Sequence, residues 1–151
     1  MDFISLIKTG NLTAIKLEIK LDSTIVNTKN ERGFTPLIMA SYVNQTEIVE
    51  LLLQNGARIN DQDMSGNTAL MGVCFKGDVE LAKLFIQHKA DINIVNKLDQ
   101  TALSFASQYG HKEIVELLLE HNADRSIKDT TGKTAKDYAE EKEYNAIADL
   151  L

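Results

Sequence analysis

An all-α solenoid of helix-turn-helix units joined by hairpin-like loops is the fold class this sequence predicts, and four registers carry the prediction. A threonine recurs every 33 residues, at Thr35, Thr68, Thr101 and Thr134. A leucine follows two residues later at Leu37, Leu70 and Leu103, and a large apolar residue recurs deep in each unit at Leu52, Phe85 and Leu118. Glycine keeps the same beat at Gly33, Gly66 and Gly132, with Asp99 standing in once. Registers held in phase over so much of the chain define a repeat array, in which each unit buries its apolar face only against its neighbours.

The units read in order as one domain spanning residues 1–151. Residues 1–29 are a degenerate first repeat: Phe3, Ile4, Leu6 and Ile7 fit a short helix, Gly10 and Asn11 a turn, and Leu12, Ile15, Leu17 and Ile19 a second helix. Glu18 falls where later units place Leu52 and Leu118, which suits an N-terminal cap with no preceding unit to bury it. The register from Gly10 to Asn44 is one residue longer than the period, which places an insertion around Asp22 to Ile25.

Residues 30–62 show the plan most fully. Thr35 is suited to cap a helix, and Pro36 to occupy its first position, where a missing N–H costs nothing. Asn44 is suited to end that helix in the left-handed conformation that Gly77 and Gly110 adopt later. The segment Glu47 to Gln54 carries one broad apolar stripe. The predicted pairs are 36–44 with 46–54, 69–76 with 79–87, and 102–109 with 112–120, with little sheet.

Residues 63–95 and 96–128 repeat the plan with departures. Gly72 stands where its neighbours have Met39 and Phe105, and Val73 where they have Ala40 and Ala106, which reads as a trade of volume between adjacent core sites. Lys89 takes the place of Gly56 and carries strain if left-handed, whereas Asn122 and Asp99 tolerate that conformation. Residues 129–151 open normally and then turn polar: Lys136 replaces the leucine, while Ile147, Leu150 and Leu151 keep one apolar face. This is expected to be a C-terminal cap, making the array a complete small solenoid.

The lines Gly33-Phe34-Thr35-Pro36-Leu37, Gly110-His111-Lys112-Glu113-Ile114-Val115-Glu116-Leu117-Leu118-Leu119 and Ala90-Asp91-Ile92-Asn93 resemble the ankyrin repeat. That resemblance implies a non-enzymatic protein-binding module whose hairpin tips and first helices line a concave groove. Carried onto this chain, the tip positions include Glu31, Arg32, Phe34, Met64, Asn67, Leu98 and Gln100. The helix positions are Tyr42, Val43, Phe75, Lys76, Gln108 and Tyr109. Of five phenylalanines and four tyrosines in the chain, Phe34, Tyr42, Phe75 and Tyr109 fall on this surface. An apolar strip rimmed by charge suits a protein contact. The outer face, with Glu47, Glu50, Glu80, Glu113, Glu116 and Glu120, is acidic and solvated.

Composition narrows the partner. With 22 carboxylates against 16 Lys and Arg, the net charge is −6, the wrong sign for a phosphate backbone, so nucleic acid is not expected. The N-terminal stretch lacks the pattern of a secretory leader, and no apolar run approaches a membrane span of roughly 20 residues. One cysteine, Cys74, suits a reducing compartment, so a cytoplasmic monomer without cofactor is expected.

The residues of chemistry have structural readings. His111 occupies a repeat position, and His88 and His121 sit 33 apart as surface residues, not as metal ligands. Cys74 aligns with Ser41 and Ser107 as a small packing residue, with no histidine placed by the repeat to activate it. Asp61 to Gly66 resembles the start of a calcium loop, but Gly72 stands where the loop needs a bidentate glutamate. Asn11-Leu12-Thr13 and Asn44-Gln45-Thr46 match the glycosylation triplet only by pattern. An inhibitor or an adaptor is the expected role. A chaperone or accessory factor for one enzyme, a toxin-neutralising immunity protein and a weak enzyme are the alternatives.

Overall fold

Local chemistry starts and stops each helix in the computed structural model, which describes residues 2–151. The amides of Ile38, Met71, Ser104 and Asp137 donate to the hydroxyls of Thr35, Thr68, Thr101 and Thr134, satisfying N–H groups that each first helix leaves free. The first helices are α1 (Phe3–Thr9), α3 (Pro36–Tyr42), α5 (Ala69–Lys76), α7 (Ala102–Gln108) and α9 (Ala135–Glu141). Each is followed by a second helix: α2 (Leu12–Leu21), α4 (Thr46–Gln54), α6 (Val79–Gln87), α8 (Lys112–Glu120) and α10 (Asn145–Ala148). The three predicted pairs are present, with α3 and α7 ending one or two residues sooner than expected, and no strand occurs among the described residues.

Left-handed residues make the crossovers, the ends of second helices and a hairpin turn. Asn44, Lys89, Asp99 and Asn122 all have positive φ, as their register predicts, and Glu143 joins them at φ 59° in the last pair. Gly77 shows why one crossover has no side chain: at φ 85°, its added Cβ would lie 2.5 Å from the His111 ring of the next pair. That imidazole in turn hydrogen-bonds through Nε2 to the Phe75 carbonyl at 3.0 Å. The extra residue before Val26 is absorbed by a 3-10 turn at Ser23–Asn27.

The hairpins are built by one residue per unit that the sequence reading did not single out. Asn30, Asp63, Asn96 and Asp129 lie 33 apart, and the Oδ1 of each accepts two backbone N–H groups of its own turn. Successive turns are joined by single bonds from Met64 N to Arg32 O, Lys97 N to Ser65 O and Thr130 N to Leu98 O. A second asparagine series works behind them: Asn27, Asn60 and Asn93 accept from the amides of Arg58, Asp91 and Asp124 of the following unit.

Packing then fixes the curvature. Leu37, Leu70 and Leu103 are buried between first helices, and Leu52, Phe85 and Leu118 are fully buried between the two rows. The first helices pack closely on one another along the whole stack, while the second helices approach each other less. A row drawn together on one side bends the array, so the first helices and the hairpins form its concave side. The volume trade expected between core sites at Gly72 and Val73 does not occur. Gly72 is not in the core: it faces the concave surface, and a Cβ added there would find no atom within 4 Å. Met39 is buried and Phe105 half-buried at the equivalent places because their own side chains cover the site that Gly72 leaves bare.

Candidate functional site

The concave face gathers the exposed aromatic residues because α3, α5 and α7 present equivalent C-terminal turns to it. Tyr42 is 64% exposed, Phe75 47% and Tyr109 43%, and Met64 and Leu98 project from the hairpin tips beside them. Phe75 packs edge-on against Tyr109, ring centroids 4.6 Å apart, and against Phe105 at 6.4 Å. Tyr42 is met by Lys76, whose Nζ lies 5.4 Å from the ring centre and donates to Tyr42 O at 2.5 Å and Asn44 Oδ1 at 2.7 Å. Lys76 is thus held by the preceding helix pair and forms a fixed rim.

Others of the sequence-nominated residues divide by role. Glu31 and Arg32 are exposed at the first hairpin tip. With Asp2, Lys8 and Lys29 they border a shallow depression of about 750 Å³ whose floor includes Phe3 and Met39. Val43 and Gln108 are half-buried at the helix ends. Asn67 and Gln100 are half-buried and occupied: the Asn96 Nδ2 donates to Asn67 Oδ1 at 2.9 Å and Gln100 Oε1 at 3.1 Å, tying two hairpins together. Their side chains contribute to the shape of the groove wall and have less polar capacity left for a partner.

Beyond these residues, the structure reveals a cavity of about 310 Å³ in the middle of the groove. Phe34, Ile38, Met71, Phe75 and Phe105 supply a mainly apolar wall, Gly72 the floor, and Asp63 and Lys76 the polar edge. The sequence contained its signal in the 33-residue column Met39, Gly72, Phe105, Tyr138, where one glycine interrupts three large side chains. Periodicity gave the equivalence of these positions without their direction.

The groups of ordinary chemical interest lie elsewhere. Cys74 is fully buried, and burial pushes its thiol well above the usual range. His121 hydrogen-bonds through Nδ1 to Leu117 O at 2.9 Å, closing its own helix. On the outer face Lys83 bridges Glu80 at 3.5 Å and Glu113 at 3.7 Å, and Lys112 pairs with Glu116 at 3.1 Å, all partly exposed and individually weak. No helix among the described residues is long and apolar enough to cross a membrane.

Stacked helix pairs with an aromatic concave face define a helical-repeat scaffold. Family models for ankyrin repeats match residues 19–71 and 70–151, and the chain belongs to the ankyrin-repeat family, whose repeats serve as protein-interaction modules. Among curated proteins, the human DNA-binding protein RFXANK is 44% identical over 48 residues, which covers 32% of this chain and 18% of that protein. This chain therefore matches less than a fifth of that relative's length.

Proposed function

We propose that this chain is a non-enzymatic module that binds a partner protein in its concave groove, as an inhibitor or an adaptor. The observation that carries the reading is the set of exposed apolar residues Tyr42, Phe75 and Tyr109 at the ends of the first helices with Met64 and Leu98 at the hairpin tips. Scattered apolar residues need no explanation on a protein surface, but aromatic residues aligned on one concave face and rimmed by Arg32, Lys76 and Lys97 match the anatomy of a contact site. A net charge of −6 favours a protein over a nucleic-acid backbone, and the short match to RFXANK, which covers 18% of that protein, does not transfer DNA binding here. The groove offers one continuous surface, which suits an inhibitor. An adaptor would use the acidic outer face as well.

The test compares proteins captured by the wild-type chain, a Tyr42→Ala/Phe75→Ala variant and a Glu47→Lys/Glu80→Lys variant, followed by affinity measurement with the captured partner. Truncating Tyr42, Phe75 or Tyr109 is expected to weaken binding at least about tenfold, or roughly 1.4 kcal/mol, as for aromatic residues central to an interface. Circular dichroism should stay unchanged, since these side chains lie outside the core. Charge changes at Glu47, Glu80 or Glu113 are expected to leave the affinity intact. The opposite pattern, outer-face loss with groove tolerance, overturns the proposal.

A further inference from the structure

The repeat supplies its own template for what the Gly72 cavity holds. Met39, Gly72, Phe105 and Tyr138 occupy equivalent places on α3, α5, α7 and α9, just as Asn30, Asp63, Asn96 and Asp129 do in the hairpins. In the last unit the Tyr138 ring is buried, its hydroxyl donates to Asp129 Oδ2, and Asp129 Oδ1 accepts the amides of Thr131 and Lys133. Two units earlier the same hairpin exists without the ring. Asp63 Oδ1 accepts from Ser65 N at 2.8 Å and Asn67 N at 2.9 Å, while Oδ2 has no hydrogen-bonding partner among the described residues. Where Tyr138 would have its counterpart there is Gly72 and the 310 Å³ cavity, with Asp63 on its edge.

We propose that this cavity is an anchor site for a tyrosine side chain of the partner protein, its ring against Phe34, Phe75 and Phe105 and its hydroxyl donating to Asp63 Oδ2. This rests on the groove being the binding surface and names the chemistry that the groove selects. The volume, near the lower end for ligand pockets, suits a single ring rather than a cofactor. Charge gives an ionic guest little net advantage: Lys76 on the rim offsets the attraction of Asp63 for a lysine or arginine, and Asp63 offsets that of Lys76 for a carboxylate, which leaves a neutral donor favoured. A phenol fills the apolar wall and satisfies the carboxylate, whereas a phenylalanine ring would bury Asp63 Oδ2 without a donor. None of the other three units with such a hairpin offers this combination, because Met39, Phe105 and Tyr138 each carry a large side chain at the position of Gly72.

The test is an amide NMR titration of the full chain with p-cresol, the side-chain analogue of tyrosine, in parallel with toluene and n-butylamine. Saturable shifts at Gly72, Asp63 and Phe75 are expected with p-cresol, at an affinity about tenfold or more above toluene, in keeping with a hydrogen bond to a charged acceptor. Asp63→Asn should reduce that preference towards parity. The hairpin should survive, since Asn30 and Asn96 build the same turn. Gly72→Tyr should fill the site from within and abolish the shifts, and its fold is protected by the precedent of Tyr138. Toluene equal to p-cresol, tighter binding of n-butylamine, indifference to Asp63→Asn, or absence of saturable shifts at these amides overturns the tyrosine anchor. Occupation by a second copy, seen as concentration-dependent shifts without any probe, overturns it too. Each of these results is independent of the partner-capture experiment, where only tolerance of the groove substitutions removes the groove reading itself.

Discussion

Single residues show how much strain and electrostatic tuning the repeat tolerates. Lys89 holds φ 63° at a place where Gly56 and Asn122 meet the same demand with less steric cost. Lys89→Asn is therefore expected to raise stability by up to about 1 kcal/mol, read from the urea midpoint. Asp129 illustrates a second balance. Its burial opposes ionisation, but hydrogen bonds from Tyr138, Thr131 and the Lys133 and Thr131 amides prevail and lower its pKa from 3.8 to about 2. The unfolded chain then takes up a proton before the folded one does. The resulting stabilisation is complete above about pH 4 and fades as pH falls towards about 2. The gap in urea midpoint between wild type and Asp129→Asn should close across that window. A gap independent of pH would show that the Asp129 charge contributes nothing.

At the level of the element, each helix pair is held by a side chain that the period places between the two rows. Leu52 is fully buried in α4, and Leu52→Ala is expected to cost about 2–5 kcal/mol by leaving a cavity. Glu18 holds the corresponding place on α2 and is only half-buried, so Glu18→Ala should cost far less. Denaturant midpoints for the two variants check the assignment of the first pair as a cap, and equal shifts would refute it. The hairpins also act as elements. Asn96 is buried, accepts two amides and donates to Asn67 and Gln100, so Asn96→Ala should cost roughly 1–3 kcal/mol through the donors left unpaired.

For the molecule as a whole, contacts run only between neighbours, so stability is a sum of unit and interface contributions. The pairs α3–α4, α5–α6 and α7–α8 have neighbours on both sides, whereas Lys136 on α9 stands exposed where interior units bury leucine. Amide hydrogen exchange is expected to be slowest in α3 to α8 and to quicken towards α1 and α10. Uniform protection along the stack would mean that the array unfolds as one cooperative block. The same nearest-neighbour arrangement leaves the groove wall free to vary, since Tyr42, Phe75 and Tyr109 are all exposed and lie outside the buried core.

The helices, the threonine caps and four of the five non-glycine left-handed residues were legible in the sequence. Threonine caps, a first-turn proline and apolar stripes act within a few residues, and the 33-residue period repeats them. Glu143 escaped because glutamate carries no local preference for that conformation, and only its register against Gly110 marks it. What the tertiary structure decided was direction. A period says which residues are equivalent, but the closer packing of the first helices determines which face becomes concave. That curvature turns Gly72 from an apparent core residue into the floor of a cavity, pairs Phe75 with Tyr109, and places Asp63 beside the space that Tyr138 fills in its own unit.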